Sequence, residues 1–279
     1  MRLPPFHVHP SVWLILGAMA AAYAVATRRH VPATPREGSE RRRRSWLFGL
    51  GMATLWFGAD WPMHDLSEGY LYSVHMFQHM LFTLVAAPLI VAGIPAWMWR
   101  AILRPRRLLS TFAFLTRPIV ALVVFNGLLL FTHWPEVVAL SVRSELVHFG
   151  LHMVLFGSAI VVWWPILSPL PELPALTPPA QMMFLFVQSL APTIPASFLT
   201  FGDHLLYPVY GTFPRIWGID ALTDQLLAGL IMKLIGGLIL WGFIAVIFFR
   251  WHAQERAQDG WDPTALAGVE HELRTGALR

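Results

Sequence analysis

The sequence predicts an all-α, polytopic membrane helical bundle of seven transmembrane helices, with its N-terminus outside and its C-terminus cytoplasmic. Three observations carry that expectation. The 279 residues are 56% hydrophobic and only 13% charged, whereas a soluble domain is nearer a quarter charged. Seven apolar stretches recur, at roughly residues 11–27, 46–61, 74–97, 118–132, 146–167, 180–201 and 222–249. The arginines are distributed unevenly between the segments that connect them.

A hydrocarbon layer of about 30 Å takes about 20 helical residues, so the second and fourth stretches are short but plausible spans. The first ends in Ala24-Val25-Ala26, which looks like a signal-peptide cleavage site. Its positive charges, Arg28 and Arg29, follow the apolar run instead of preceding it, so it reads as a retained helix. With the N-terminus outside, the inward segments hold Arg28, Arg29, Arg36 and Arg41–Arg44, then Arg100, Arg104, Arg106, Arg107 and Arg117, and finally Arg250, Arg256, Arg274 and Arg279. Only Arg2, Arg143 and Arg215 face outward. Positive residues concentrate on the cytoplasmic side of membrane proteins, which sets the orientation. The same clustering accounts for a pI near 10.0 without nucleic acid as a partner. Residues 1–251 form the transmembrane domain and the polar stretch 252–279 a cytoplasmic tail. Residues 165–179, proline-rich with Glu172 as their one charge, read as a stiff inner connector.

There is no cysteine. That excludes disulfides, thiolate metal sites, CxxCH haem attachment and thiol redox chemistry. No P-loop, GxSxG, HExxH or GxGxxG is present either, so no catalytic motif supports an enzyme.

The orientation sorts the histidines. His7, His9, His64, His75, His79, His133, His148, His152 and His204 fall toward the outer side; His30, His252 and His271 fall inside. Four of the outer ones form two matching patterns, Val74-His75-Met76-Phe77-Gln78-His79-Met80 and Val147-His148-Phe149-Gly150-Leu151-His152-Met153. Residues at i and i+4 share one helix face about 5–6 Å apart at Cβ, so both imidazoles of a pair can reach one ion. Neutral imidazole suits Cu, Zn, Fe or Ni. A lone histidine at this depth is more often a hydrogen-bonding partner between helices. Two HxxxH pairs at equal depth favour a metal site of His75, His79, His148 and His152 bridging the third and fifth stretches.

Other side chains at that level could join as ligands or orient them. Glu145 stands one turn before His148; His64, with Asp65, lies in a loop that can fold over the site; His133 follows the fourth stretch; Asp224 opens the seventh. Met76 and Met80 offer thioethers, which favour Cu(I), although methionine at helical spacing is more often ordinary packing. Ser189 and Thr193 in the sixth stretch, beside Pro192, and Lys233 in the seventh read as buried polar groups lining an interior. A charged lysine near the bilayer centre costs roughly 2.5–3.5 kcal/mol, so a partner or a polar cavity is expected for it.

The block Tyr72-Ser73-Val74-His75-Met76-Phe77-Gln78-His79-Met80-Leu81, continuing to Ala87-Pro88 and Gly93-Ile94-Pro95, resembles the CtaG family of bacterial cytochrome c oxidase assembly factors. So do His148 and His152 followed by Trp163-Trp164-Pro165, and Asp224-Gln225 followed by Gly229-Leu230-Ile231-Met232. The resemblance covers roughly residues 50–250. It implies a multi-pass protein of the bacterial plasma (inner) membrane, needed to form active oxidase. Family members sometimes occur fused to copper-transport domains, which implies a copper role. An unrelated single-spanning oxidase copper chaperone shares the family's name but uses cysteines, which this chain lacks. The expected partners are cytochrome c oxidase subunits, periplasmic copper chaperones and the lipid bilayer.

The reading is therefore an assembly factor that binds copper on the outer side and supports metal delivery to the oxidase. Two alternatives stay open. One is a haem-binding or haem-handling protein, with histidines on facing helices as axial ligands. The other is a zinc-dependent membrane hydrolase, with three histidines on the ion and Glu145 or Asp224 as base. A scaffold that docks oxidase subunits without a metal is a further possibility.

Overall fold

Helix starts are written locally into this chain. Proline, whose missing N–H costs nothing in a first turn, opens the helices that begin at Pro10, Pro35, Pro118, Pro135 and Pro178. Thr34 accepts the N–H of Glu37, while the Glu37 carboxylate takes the N–H of Ala33, a variant of the capping box. Ser144 accepts from Val147 N, and Asp220 from the N–H groups of Leu222 and Thr223.

The computed structural model describes residues 3–30 and 32–258, and every regular element among them is helical. The helices are α1 (Pro10–Arg29), α2 (Pro35–Ala59), α3 (Met63–Gly69), α4 (Tyr72–Gly93), α5 (Ala96–Ile102), α6 (Arg106–Leu115), α7 (Pro118–Thr132), α8 (Pro135–Arg143), α9 (Glu145–Leu167), α10 (Pro178–Phe201) and α11 (Ala221–Ala257). The part of the expected tail beyond residue 258 lies outside the described residues; residues 252–258 prolong the last helix.

Among the described residues five helices, α1, α4, α9, α10 and α11, are long and apolar enough to cross a membrane. A sixth span exists if α6 and α7, bent by 82° at their junction, count as one. The second apolar stretch does not stand alone as a span: it is the end of α2, whose first half carries Arg41–Arg44. Its uncharged part, residues 46–59, spans about 21 Å at 1.5 Å per residue.

The central helix is α4, with 67% of its apolar window buried against 6–33% for the other long helices. It packs on α2, α9 and α11. It is not regular throughout: residues Leu81–Ala86 form a π turn directly after His79. Pro88 explains it, because a proline in a helix cannot donate to the preceding turn. The carbonyl of Thr83, five residues earlier, is taken instead by Trp163 Nε1 of α9 at 2.7 Å. Trp163→Phe is expected to cost about 1–3 kcal/mol by orphaning that buried carbonyl, read as a lower thermal unfolding temperature in detergent.

A second π turn, Ile231–Ile235, interrupts α11. It bears on the expectation for Lys233. The residue is exposed rather than buried, with its Nζ 5.9 Å from the ring centroid of Phe201. It lines, together with Thr83, Gln188, Ser189 and Thr193, a small cavity between the helices. Ser189 and Thr193 are only partly buried, and both hydroxyls bond back to carbonyls of α10. The buried polar contact at that level is an amide pair, Asn126 Nδ2 to Gln188 Oε1 at 2.9 Å and Gln188 Nε2 to Asn126 Oδ1 at 3.2 Å.

Gly229 lets α11 approach α10 closely: a Cβ there would lie 2.4 Å from Thr200 Oγ1 and 2.7 Å from the Ala196 carbonyl. Gly229→Ala is expected to destabilise by about 1–3 kcal/mol through overpacking, again measurable by thermal unfolding.

The two ends of the bundle differ chemically. At one end Tyr23 stacks on Phe48 and donates to the Gly93 carbonyl, Arg44 donates to Ala92 O, and Arg100 pairs with Glu172 at 2.7 Å. The connector at residues 165–179 lies at this arginine-rich end. Its first proline, Pro165, is inside α9. The other end carries residues 3–9, α3, the start of α4, the start of α9 and the loop 202–220.

Candidate metal centre

The two HxxxH segments face each other at this second end. His75 and His79 lie on the face of α4 turned toward α9, and His148 and His152 sit in the first two turns of α9. His148 Nε2 is 2.8 Å from His152 Nε2, and His79 Nε2 is 3.2 Å from the same atom. Ligand nitrogens of His75, His148 and His152 all lie within 4.8 Å of one another. His152 is common to both groupings and is the centre of the cluster.

This packing is unusual for neutral imidazoles. His152 Nε2 is either protonated, and then donates to one neighbour with no lone pair for the other, or bare, with one lone pair for two donors. His75 Nδ1 is buried and finds no partner among the described residues. Polar groups in such a position are ordinarily paired. The spacing matches another use: two nitrogens each 2.0–2.1 Å from a shared ion, at angles of 90–109°, stand roughly 2.8–3.4 Å apart. The cavity among His75, His79, His148, His152, Thr132 and Ser141 is about 20 Å³, room for one water or one ion. The residues present therefore fit a small, borderline or soft cation. A much larger cavity, about 730 Å³, lies at the arginine-rich end beside His30, Arg36, Arg41, Arg44 and Arg100; none of the four clustered histidines lines it.

The further sequence candidates separate. His64 belongs to the surroundings of the cluster: its Nδ1 is 3.3 Å from Glu68 Oε1, and that oxygen is 3.4 Å from His148 Nε2. Glu145 is exposed, and its charge acts on His64 and Glu68. His133 donates from Nδ1 to the Leu129 carbonyl at 2.7 Å, which leaves a lone pair on its buried, unpartnered Nε2, next to cavity-lining Thr132. Met76 packs with Tyr72, Ala228 and Met232, and Met80 with Leu84 and other apolar side chains. On α4 the methionines thus belong to the apolar packing and the histidines to the α9 side.

Asp224 does not point at the ions' cavity. It is 1% exposed, and its two oxygens accept the N–H groups of Tyr72 (2.7 Å) and Ser73 (3.0 Å). These are the first two residues of α4, which has no side-chain cap of its own. A carboxylate from α11 therefore caps the helix that carries His75 and His79, where the helix dipole favours negative charge.

Glu68 is the residue that reading the sequence missed. Its signal was available: His64 and Glu68 are four apart, one face of one short helix. Burial, with the charges of Glu145 and Asp65 adding to it, pushes the Glu68 carboxyl up to about 7. Burial also holds the His64 imidazole below its usual range, with His9 adding.

A protein-family model described as cytochrome c oxidase caa3 assembly factor (Caa3_CtaG) matches residues 21–254. The chain belongs to the CtaG family. The match runs from the first long helix to the end of the last, so it includes all four clustered histidines, Asp224 and Glu68. Comparison with curated proteins finds no match, and comparison with solved structures finds none. For this CtaG-family chain, membrane helices and a role in oxidase assembly stand on the family match and the apolar helices.

Proposed function

We propose that this CtaG-family protein binds copper at His75, His79, His148 and His152, on the outer side of the bacterial plasma membrane, and passes it to a copper-bearing subunit of the oxidase. The observation that carries the reading is the convergence of Nε2 atoms from α4 and α9 at 2.8 and 3.2 Å. An all-nitrogen set disfavours Ca²⁺ and Mg²⁺ and suits copper or zinc. The outward orientation rests on the sequence's partition of arginines, sixteen in segments read as inward against three in segments read as outward. In the seven-span form of this reading, the arginine turn of α2 lies at the inner headgroups and its apolar half completes a span. A periplasmic copper chaperone is the natural donor for a site so placed.

Zinc hydrolysis is weakened by the engagement of Asp224 in the helix cap and the exposure of Glu145. Haem handling is weakened by size, since ligand pockets of that class measure about 300 Å³ or more and the histidines enclose about 20 Å³.

Purified protein loaded with Cu(I) under reducing conditions should retain about one ion per chain by elemental analysis, and a variant with all four histidines replaced by alanine none. Cells carrying that variant should lose oxidase activity. Wild-type protein that retains no copper, or intact oxidase with the fourfold variant, overturns the proposal.

A further inference from the structure

The segment before α1 is fastened across α3. The Pro4 carbonyl accepts from Trp61 Nε1 at 3.3 Å, and Phe6 meets the Trp61 ring edge-on at 5.3 Å. This places two more histidines beside the site: His7 Nδ1 is 2.9 Å from Asp65 Oδ1, and His9 Nε2 is 3.1 Å from Asp65 Oδ2. From there donor groups follow one another without a gap. The ring of His9 is 4.4 Å from that of His64, His64 Nδ1 is 3.3 Å from Glu68 Oε1, and Glu68 Oε1 is 3.4 Å from His148 Nε2. His148 is in turn 2.8 Å from His152. Side-chain exposure is 62% at His7 and 12% at Asp65, 20–30% at His9, His64 and Glu68, and 11% at His148, so the line has its one open end at His7.

We propose that His7, His9 and Asp65 form an outer capture site for copper or a similar borderline cation, and that His64 and Glu68 hand the ion to the buried four-histidine cluster. The inference rests on the reading of that cluster as a copper site and adds the way in. An ion held at about 2 Å by one donor can bond to a second when the two donors are about 4 Å apart or less. Each donor-to-donor distance given above meets that condition, and the His9 and His64 rings are in contact. The line runs from imidazole at His9 and His64, through the Glu68 carboxylate, to imidazole at His148; carboxylate is the weaker ligand for copper, so an ion passing Glu68 is not trapped short of the cluster. The alternative is a strap that only packs. Trp61, Pro4 and Phe6 already supply that fastening, and the His7–Asp65 pair, with the histidine 62% exposed, adds only about 0–1 kcal/mol to it.

The test separates rate from occupancy, using full-length protein in nanodiscs and Cu(I) supplied from a chromophoric chelator. The double variant His7→Gln, His9→Gln should reach the same final occupancy and affinity as wild type but load about 10-fold more slowly or worse, the lower end of what residues outside a ligand set do to a metal site. Glu68→Gln should slow loading similarly. Restoring a soft ligand with His9→Met, in the His7→Gln background, should recover most of the Cu(I) rate, because thioether binds Cu(I); a packing role would not be rescued this way. Copper retained at full occupancy with an unchanged loading rate overturns this inference alone, as does a slowed rate that His9→Met fails to recover. Wild-type protein that takes up no copper overturns the cluster reading and this inference with it.

Discussion

Replacing His152 with alanine should lower copper affinity by about 100-fold or more, the largest effect of any single histidine in the cluster. Removing a residue outside the ligand set already costs about 10–100-fold at metal sites, and His152 is the one nitrogen in contact with both helices' partners. Its Nε2 is 2.8 Å from His148 and 3.2 Å from His79, so its loss breaks the link between α4 and α9. His75→Ala and His79→Ala each leave the His148–His152 pair intact and should cost less. Without metal, the same His152→Ala change should scarcely lower thermal stability, because it relieves nitrogens that cannot all be satisfied at once. Equilibrium competition with a copper chelator and unfolding scans on metal-free protein check both halves. Equal losses from all four alanine variants would mean that His152 holds no central place.

The second large effect is expected from Asp224, which does not touch the cluster. Asp224→Ala strands the N–H groups of Tyr72 and Ser73 in a site where the carboxylate is 1% exposed. Two buried donors left without partners cost about 2–6 kcal/mol together. The change also frees the first turn of α4, and His75 is the fourth residue of that helix. Copper affinity should therefore fall with stability, whereas Asp224→Asn, which keeps one acceptor oxygen, should fall between. Unfolding temperature and copper retention on the same samples decide it: a variant as stable as wild type removes Asp224 from the support of the site.

The positions of Asp224 and Glu68 mark how far the sequence could be read. Both HxxxH pairs were visible because helical periodicity is local: i and i+4 share a face wherever the helix goes. Asp224 was visible as a polar residue at the top of an apolar run, but its partners lie 152 and 151 positions away, and no local pattern distinguishes a ligand from a cap. Glu68 was overlooked because a carboxylate in a short polar stretch is ordinarily solvated. Only the packing of α3 on α4, which in turn faces α9, brings it to His148. Lys233 was read as buried, whereas it is exposed on the lining of a cavity it shares with Ser189 and Thr193, within a π turn. Regular 3.6-residue periodicity cannot anticipate such a turn when, as at Ile231–Ile235, no proline announces it.

Composition and pattern alone determined that this chain is helical and apolar, that it is free of thiol chemistry, and that it belongs with the oxidase assembly factors its motifs resemble. Those properties follow from local rules, since hydropathy, helix periodicity and charge need no knowledge of what packs on what. Tertiary structure decided the rest. It chose α4 as the central helix and turned its histidines toward α9. It gave its methionines to the apolar core, capped its first turn with a carboxylate from α11, and laid residues 3–9 across the site. Each of these depends on contacts between residues far apart in the chain, where the energy of close packing and the need to satisfy buried polar groups select one arrangement among many that the sequence pattern allows.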